Sequence, residues 1–124
     1  MVKVGRLIKG DKGSLYVSDD VFGFIKSFEH LDKNDVVVNK LMKKLKYFAD
    51  TGFVVDNIRY EGSGVYRIEV EKSGRIIGFY ENKDFIGIRW FFKKTQRLTR
   101  MQRDIIASVQ KIFANHSWVI AINK

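Results

Sequence analysis

The 124-residue sequence contains no cysteine and no proline, and only two histidines. The lack of cysteine excludes disulfides, thiol catalysis and thiolate zinc sites, whereas the lack of proline by itself excludes no fold class. His30 and His116 are too far apart in the chain to make a multi-histidine metal site alone. We therefore expect no metal and no cofactor.

Long hydrophobic runs are also missing, since no stretch approaches the roughly 18 to 20 apolar residues that cross a bilayer as a helix. The opening letters, MVKVGRLIKGDKGS, carry charges throughout and lack the apolar stretch of a secretory signal. These two features predict a cytoplasmic protein that makes no contact with membranes.

What the chain does contain is a large apolar fraction, with 45% hydrophobic and 14% aromatic residues. This composition argues against disorder, and the length suits one domain with a substantial core. We therefore treat residues 1–124 as a single domain.

Charge is the most informative part of the composition, because the formal net charge is +9. Six basic residues and no acidic residue lie between Asp84 and Asp104, namely Arg89, Lys93, Lys94, Arg97, Arg100 and Arg103. Such a run is often only a solvated face. Here it interleaves with Trp90, Phe91 and Phe92, which favours a nucleic-acid surface.

The first half of the chain predicts two short strands and two helices. VKVGRLI and LYV are extended, and Ser18 with two aspartates can cap a short helix. Apolar residues at three-to-four spacing predict a longer helix over residues 33–51, with Asp32 as its cap and Gly52 as its stop. The two helices would form a hairpin.

The second half changes to a period of two. VYRIEV, RIIGFY and FIGIRWFFK are joined by short turns, which predicts a three-stranded antiparallel meander. Thr99 and Gln102 form a capping-box pattern before a last amphipathic helix, and SWVIAIN is a candidate final strand. The fold class is α+β, with an N-terminal strand and a helical hairpin on an antiparallel sheet, followed by a C-terminal helix.

The alternation assigns Ile68, Ile88 and Trp90 to a face covered by helices. The opposite face would be open, and four basic residues could converge on it, namely Arg67, Arg75, Arg89 and Lys93. Glu69 lies among these cations and leaves two alternatives open. It could make a cross-strand ion pair with Arg67 or Arg75, or it could be the general base of an RNA-cleaving site.

Most of the chain, from about Gly13 to Ile112, resembles the RelE/HigB superfamily of toxin-antitoxin ribonucleases, especially its phage-derived HigB-like branch. The resemblance depends on two helices followed by GVYRIEV, SGRIIGFY, a hydrophobic strand, FFKKTQRLT and a terminal helix. The last motif is the most specific. Arg75 is similar to the sheet arginine of that family, and Lys93 and Lys94 are similar to its basic corner.

The resemblance implies a toxin-like mRNA endoribonuclease that needs no metal, associates with the ribosome and is neutralised by an acidic antitoxin. Arg75 and Lys93 would stabilise the reacting phosphate, and Glu69 or another basic group directed at the 2′-hydroxyl would take its proton. Flanking RNA would contact Arg67, Arg89, Lys94 and Arg97, with Phe79 and Phe91 as aromatic walls or stacking platforms. The alternative is a non-catalytic RNA-binding or antitoxin-binding module on the same fold. A third class is an interaction protein that uses the basic face only to hold an acidic partner.

Overall fold

The computed structural model describes residues 1–27, 36–70 and 73–121. It has α+β architecture. The strands are β1 (Val2–Lys9), β2 (Ser14–Ser18), β3 (Ile58–Gly62), β4 (Val65–Glu69), β5 (Gly74–Glu81), β6 (Asp84–Phe92) and β7 (Trp118–Ile120). The helices are α1 (Asp19–Ser27), α2 (Val36–Asp50) and α3 (Arg100–Ala114).

The seven strands form one mixed sheet in the order β3-β4-β5-β6-β2-β1-β7. The meander predicted for β4, β5 and β6 is confirmed, with Ile68 opposite Ile76 and Ile76 opposite Trp90. The prediction of a purely antiparallel sheet is wrong, because β2 pairs parallel with β6 and β1 pairs parallel with β7. These parallel pairs join segments distant in sequence, so no local turn signal announces them.

Local signals account well for the helix ends. Ser18 caps α1, because its Oγ accepts a hydrogen bond from the N–H of Val21 at 3.2 Å. Helix α2 ends at Asp50, and Gly52 follows with a φ of 73°, which is the left-handed conformation of a C-terminal stop. The predicted cap at Asp32 and the first residues of the predicted helix, 33–35, lie outside the described residues.

Strand β3 was not predicted from the sequence. It forms a hairpin with β4 through Ser63 and Gly64, which have φ values of 50° and 83°. Positive φ at both central residues is the requirement of the tight turns that suit the twist of paired strands. The β3 segment IRYE has the same alternation as YRIE in β4, so the Gly-Ser-Gly sequence between them was a usable hairpin signal.

Helices cover both faces of the sheet, which corrects the expectation of one open face. On one face, α1 and α2 bury Phe24, Leu41 and Leu45 in a cluster with Ile68 and other strand residues. On the other face, α3 buries Ile106 and Val109 in a second cluster with strand residues from β4, β5 and β6. The side chain of Gln102 donates to the carbonyl of Phe92 and that of Gln110 donates to the carbonyl of Gly62. Helix α3 therefore runs from the end of β6 to the β3–β4 turn.

A bulge in β6 explains one wrong assignment. Ile77 pairs with Arg89 and the next residue, Gly78, pairs with Gly87, so Ile88 is an extra residue on β6. Because of this insertion Ile88 packs in the α3 cluster, whereas Trp90 packs in the α1 and α2 cluster. The sequence predicted both on one face, since an uninterrupted strand keeps residues i and i+2 together.

The capping box at the start of α3 is confirmed and gives a first testable prediction. The Thr99 hydroxyl accepts from the N–H of Gln102 at 3.1 Å, and the Gln102 side chain accepts from the N–H of Thr99 at 3.1 Å. Thr99→Ala is expected to lower the free energy of unfolding by about 1 kcal/mol, because two helix N-terminal donors lose their fixed arrangement. Chemical denaturation of wild type and of Thr99→Ala measures this loss, and Thr99→Ser, which keeps the hydroxyl, is the control. An unchanged midpoint in the alanine variant would contradict it.

Candidate functional site

Charged side chains gather on the α3 face of the sheet, at the ends of β3, β4 and β5. The sheet register sets Arg59 opposite Arg67 and sets Glu69 opposite Arg75. Alternation along each strand puts these side chains on the face of Val65 and Ile77, which pack in the α3 cluster. We call the five charged residues on this patch the arginine cluster, namely Arg59, Glu61, Arg67, Glu69 and Arg75.

Glu69 is the centre of the arginine cluster because three guanidinium groups meet its carboxylate. Its Oε1 lies 3.5 Å from Nε of Arg59. Its Oε2 lies 3.7 Å from Nη2 of Arg67 and 3.5 Å from Nη2 of Arg75. The cross-strand ion pair predicted for Glu69 is therefore confirmed with Arg75, whereas the contact with Arg67 is made within β4. Arg59 is a third partner that was not predicted.

Glu61 supplies the second carboxylate of the arginine cluster. Its Oε1 lies 3.1 Å from Nη1 of Arg67, which is the shortest ion pair in the cluster. The cluster thus combines three guanidinium groups with two carboxylates and keeps one net positive charge. A site of this charge favours an anion as its further occupant.

Two arginines of the cluster are largely withdrawn from solvent. The side chains of Arg67 and Arg75 are only 14% and 16% exposed, whereas Arg59 at the sheet edge is 61% exposed. The Nε atoms of Arg67 and Arg75 are buried, and no acceptor among the described residues reaches them. Buried donors that lack acceptors carry a free-energy cost, which an added acceptor would relieve.

The electrostatic setting of Arg75 is visible in its pKa. Burial lowers the pKa of its guanidinium, the carboxylate of Glu69 raises it, and the nearby charges of Arg67 and Arg59 lower it. A guanidinium keeps its proton throughout the physiological pH range, so Arg75 remains a cation there. Its Nη1 also donates to the carbonyl of Gly74 at 2.9 Å, which orients the group.

The basic corner after β6 lies beside this patch. The N–H of Lys93 donates to the carbonyl of Ser73 at 2.9 Å, so the β5–β6 ladder continues one position beyond Phe92. Alternation along β6 therefore assigns Lys93 to the face of Phe91 and Arg75, as predicted, although Lys93 makes no ion pair with a described residue of the cluster. Lys94 and Arg97 follow in an exposed loop before α3.

Arg89 does not join the arginine cluster, contrary to the prediction. Its Nη1 donates to the carbonyl of Ile88 at 3.0 Å. Its side chain lines a separate groove of about 320 Å³ with Lys3 and the start of α1 at Asp19. The register from Arg89 to Phe92 is unbroken, with Arg89 opposite Ile77 and Phe91 opposite Arg75, so the bulge at Ile88 does not separate Arg89 from the cluster. Arg89 lines a groove beside the start of α1 instead.

The two phenylalanines predicted as stacking platforms are core residues. Phe79 is 0% exposed and its ring lies 5.0 Å from that of Phe113 and 5.4 Å from that of Trp118. Phe91 is 6% exposed and belongs to the same cluster. The stacking hypothesis is therefore wrong for both, because a base cannot reach a ring that α3 and β7 cover.

Sequence reasoning missed Arg59 and Glu61 as members of the site. Both lie on β3, and without that strand they had no neighbours to be assigned to. The repeated order of arginine and glutamate, in IRYE and again in YRIE, was the available signal. Folding the two segments on each other as a hairpin sets the basic and acidic residues of both strands side by side.

A metal site has no counterpart in the described part of the chain. Those residues contain no group of three or more histidine, cysteine, aspartate or glutamate side chains placed to hold a metal ion. Within the same ranges, no helix has the length and apolar character needed to cross a membrane.

Comparisons with known proteins identify no relative of this chain. No protein-family model, no curated protein and no solved structure gives a significant match to the chain.

Proposed function

We propose that the arginine cluster binds RNA phosphates and that the protein is a toxin-like mRNA endoribonuclease of the RelE/HigB kind. The observation that carries this proposal is the convergence of Arg59, Arg67 and Arg75 on one half-buried carboxylate. Three guanidinium groups on neighbouring strands form a rigid anion site, because sheet pairing fixes their spacing.

The chemistry assigned to this site is cleavage through the 2′-hydroxyl of RNA. The 2′-oxygen attacks phosphorus and gives its proton to solvent water, the bond to the 5′-oxygen breaks, and the leaving oxygen takes a proton from water. The products are a 2′,3′-cyclic phosphate and a 5′-hydroxyl. Fixed cations lower the barrier by meeting the extra negative charge of the pentavalent intermediate, and this step needs no metal.

Within this proposal Arg75 and Lys93 contact the reacting phosphate, and Arg67 supports Arg75 from the next strand. Lys94 and Arg97 lie in the exposed loop and hold flanking phosphates. Glu69 has the role of counter-ion. Its carboxylate faces three guanidinium groups, and this arrangement supports charge balance rather than general-base catalysis at this residue.

The partners in the proposal come from the resemblance of GVYRIEV, SGRIIGFY and FFKKTQRLT to the RelE/HigB superfamily. They are mRNA, the translating ribosome and an acidic antitoxin that neutralises the activity. A basic surface with a net charge of +9 over the chain suits all three, because each presents negative charge.

The second candidate is a non-catalytic module that uses the same surface to bind RNA or an antitoxin. The observation in its favour is that carboxylates already pair with every arginine of the cluster. A paired network of this kind can also serve only to join the strands. Cleavage assays separate the two candidates, whereas binding assays do not.

The phosphate-binding part of the proposal predicts strongly salt-dependent affinity for single-stranded RNA. With about four phosphate contacts, the affinity should fall roughly 50-fold between about 50 and 200 mM salt, because counterion release scales with the number of contacts. Fluorescence anisotropy with a labelled RNA measures the affinity at each salt concentration. Arg75→Ala should reduce the slope of log affinity against log salt concentration by about the amount that one phosphate contact contributes.

The matched control for that measurement is Lys40→Ala. Lys40 is an exposed cation on α2, which packs on the opposite face of the sheet. Its removal should leave affinity and slope close to wild type. Salt-insensitive binding, or equal effects of the two substitutions, would remove the phosphate-site interpretation.

A further inference from the structure

The carboxylate of Glu69 fits its three arginines loosely. Its N···O separations from them are 3.5, 3.7 and 3.5 Å. A close charge-assisted hydrogen bond between such groups is about 2.7 to 2.9 Å long. The carboxylate therefore attracts the three guanidinium groups without drawing any of them into close contact.

Two of the arginines that face this carboxylate keep an unused donor. The Nε atoms of Arg67 and Arg75 are buried and have no acceptor within the described part of the chain. A carboxylate offers two oxygens in one plane, whereas a phosphate offers oxygens in a tetrahedral arrangement and can meet donors from several directions. The arginine cluster is thus a better match for a tetrahedral anion than for the planar group that now lies in it.

We propose that Glu69 is an internal competitor that occupies the anion position of the arginine cluster until a substrate phosphate displaces it. This inference rests on the proposed function and assigns Glu69 a role in selectivity. A small anion on its own would have to displace a carboxylate that β4 holds next to the arginines. An RNA chain has further contacts at Lys93, Lys94 and the following loop, and these contacts offset the cost of displacement.

Charge explains why such a competitor weakens substrate binding. The carboxylate and a phosphodiester each carry one negative charge, so their exchange is close to neutral in electrostatic terms. Once Glu69 is displaced, it remains displaced in the substrate complex and in the transition state. Its displacement therefore costs both the same free energy, which raises KM and leaves kcat unchanged.

The inference predicts that removing the charge of Glu69 tightens RNA binding. Glu69→Gln changes the net charge of the cluster from one to two positive charges and retains the shape of the side chain. We expect its affinity for a non-cleavable 2′-O-methyl RNA to rise about 10-fold over wild type at one fixed salt concentration. Glu69→Asp keeps the charge but withdraws it by one methylene, and it should give an intermediate gain.

Cleavage kinetics supply the readout that a purely structural role would not produce. With cleavable RNA, Glu69→Gln should lower KM about 10-fold and leave kcat unchanged. Inorganic phosphate should also raise the melting temperature of Glu69→Gln more than that of wild type, because the variant has no carboxylate to compete with phosphate. The control is Glu81→Gln at the far end of β5, which should behave as wild type in all three assays.

The outcomes separate this inference from the proposed function. Failure of wild type to bind RNA would contradict the proposed function itself. Binding by wild type with equal or weaker binding by Glu69→Gln and Glu69→Asp would overturn the competitor role alone, because the carboxylate would then only hold the arginines in place. If Glu69→Gln does not fold, the intermediate gain expected for Glu69→Asp decides the question.

Discussion

Arg75→Ala is expected to lower the rate of RNA cleavage by about a hundredfold to a thousandfold, with a much smaller effect on RNA affinity. Arg75 is a half-buried, oriented cation at the start of β5, and Lys93 is close to its level on the neighbouring strand. One preorganised contact to a developing oxyanion contributes about 3 to 4 kcal/mol to the barrier, whereas one phosphate contact among several changes binding modestly. The measurement is single-turnover cleavage of mRNA with and without translating ribosomes.

Two matched variants sharpen that experiment. Arg75→Lys keeps the charge but loses the planar fork of donors, and it should recover only part of the rate. Lys40→Ala removes a cation from the opposite side of the sheet and should retain the full rate. If wild type binds RNA but cleaves it in neither setting, the enzyme proposal fails and the non-catalytic module remains.

Phe79→Ala is expected to destabilise the protein by about 3 to 5 kcal/mol, which corresponds to a fall in melting temperature of roughly 12 to 20 °C. The side chain is fully buried between the sheet, Phe113 and Trp118, so its removal leaves a cavity under α3. Chemical and thermal denaturation measure the loss. At temperatures where the variant is folded, its affinity for RNA should equal that of wild type.

Tyr47→Ala provides the comparison for this prediction, because Tyr47 is 60% exposed on α2. Its loss should change the free energy of unfolding by less than about 0.5 kcal/mol. A Phe79 variant that keeps its stability but loses RNA affinity would contradict the buried position of the ring and would restore the stacking hypothesis.

Several elements of the fold were predictable because their signals are local. Thr99 and Gln102 lie three residues apart and cap α3 by themselves, and Gly52 ends α2 by its backbone conformation. The alternation in β4 and β5 likewise gave the pairing of Glu69 with Arg75 across a short turn. In each case the interacting groups are close in sequence, so their spacing carries the information.

The errors have a common physical origin in contacts between distant segments. The parallel pairing of β2 with β6 joins residues about 70 positions apart, as between Leu15 and Phe85. Phe79 and Phe91 looked like surface aromatics because nothing in their own strands shows that α3 packs over them. The bulge at Ile88 reversed the face of one residue, since a single inserted position shifts the two-residue period.

The sequence by itself determined the α+β class, the caps of α1 and α3, the end of α2, the central meander and the basic character of the segment that follows β6. These depend on periodicity, capping and composition, which act over a few residues. Only the tertiary structure decided which charges meet. Arg59 reaches Glu69 because β3 folds back on β4, whereas Arg89 lines a groove beside the start of α1 and stays apart from the cluster. The arginine cluster is thus a product of strand register, and register is set by the packing of both sheet faces against the helices.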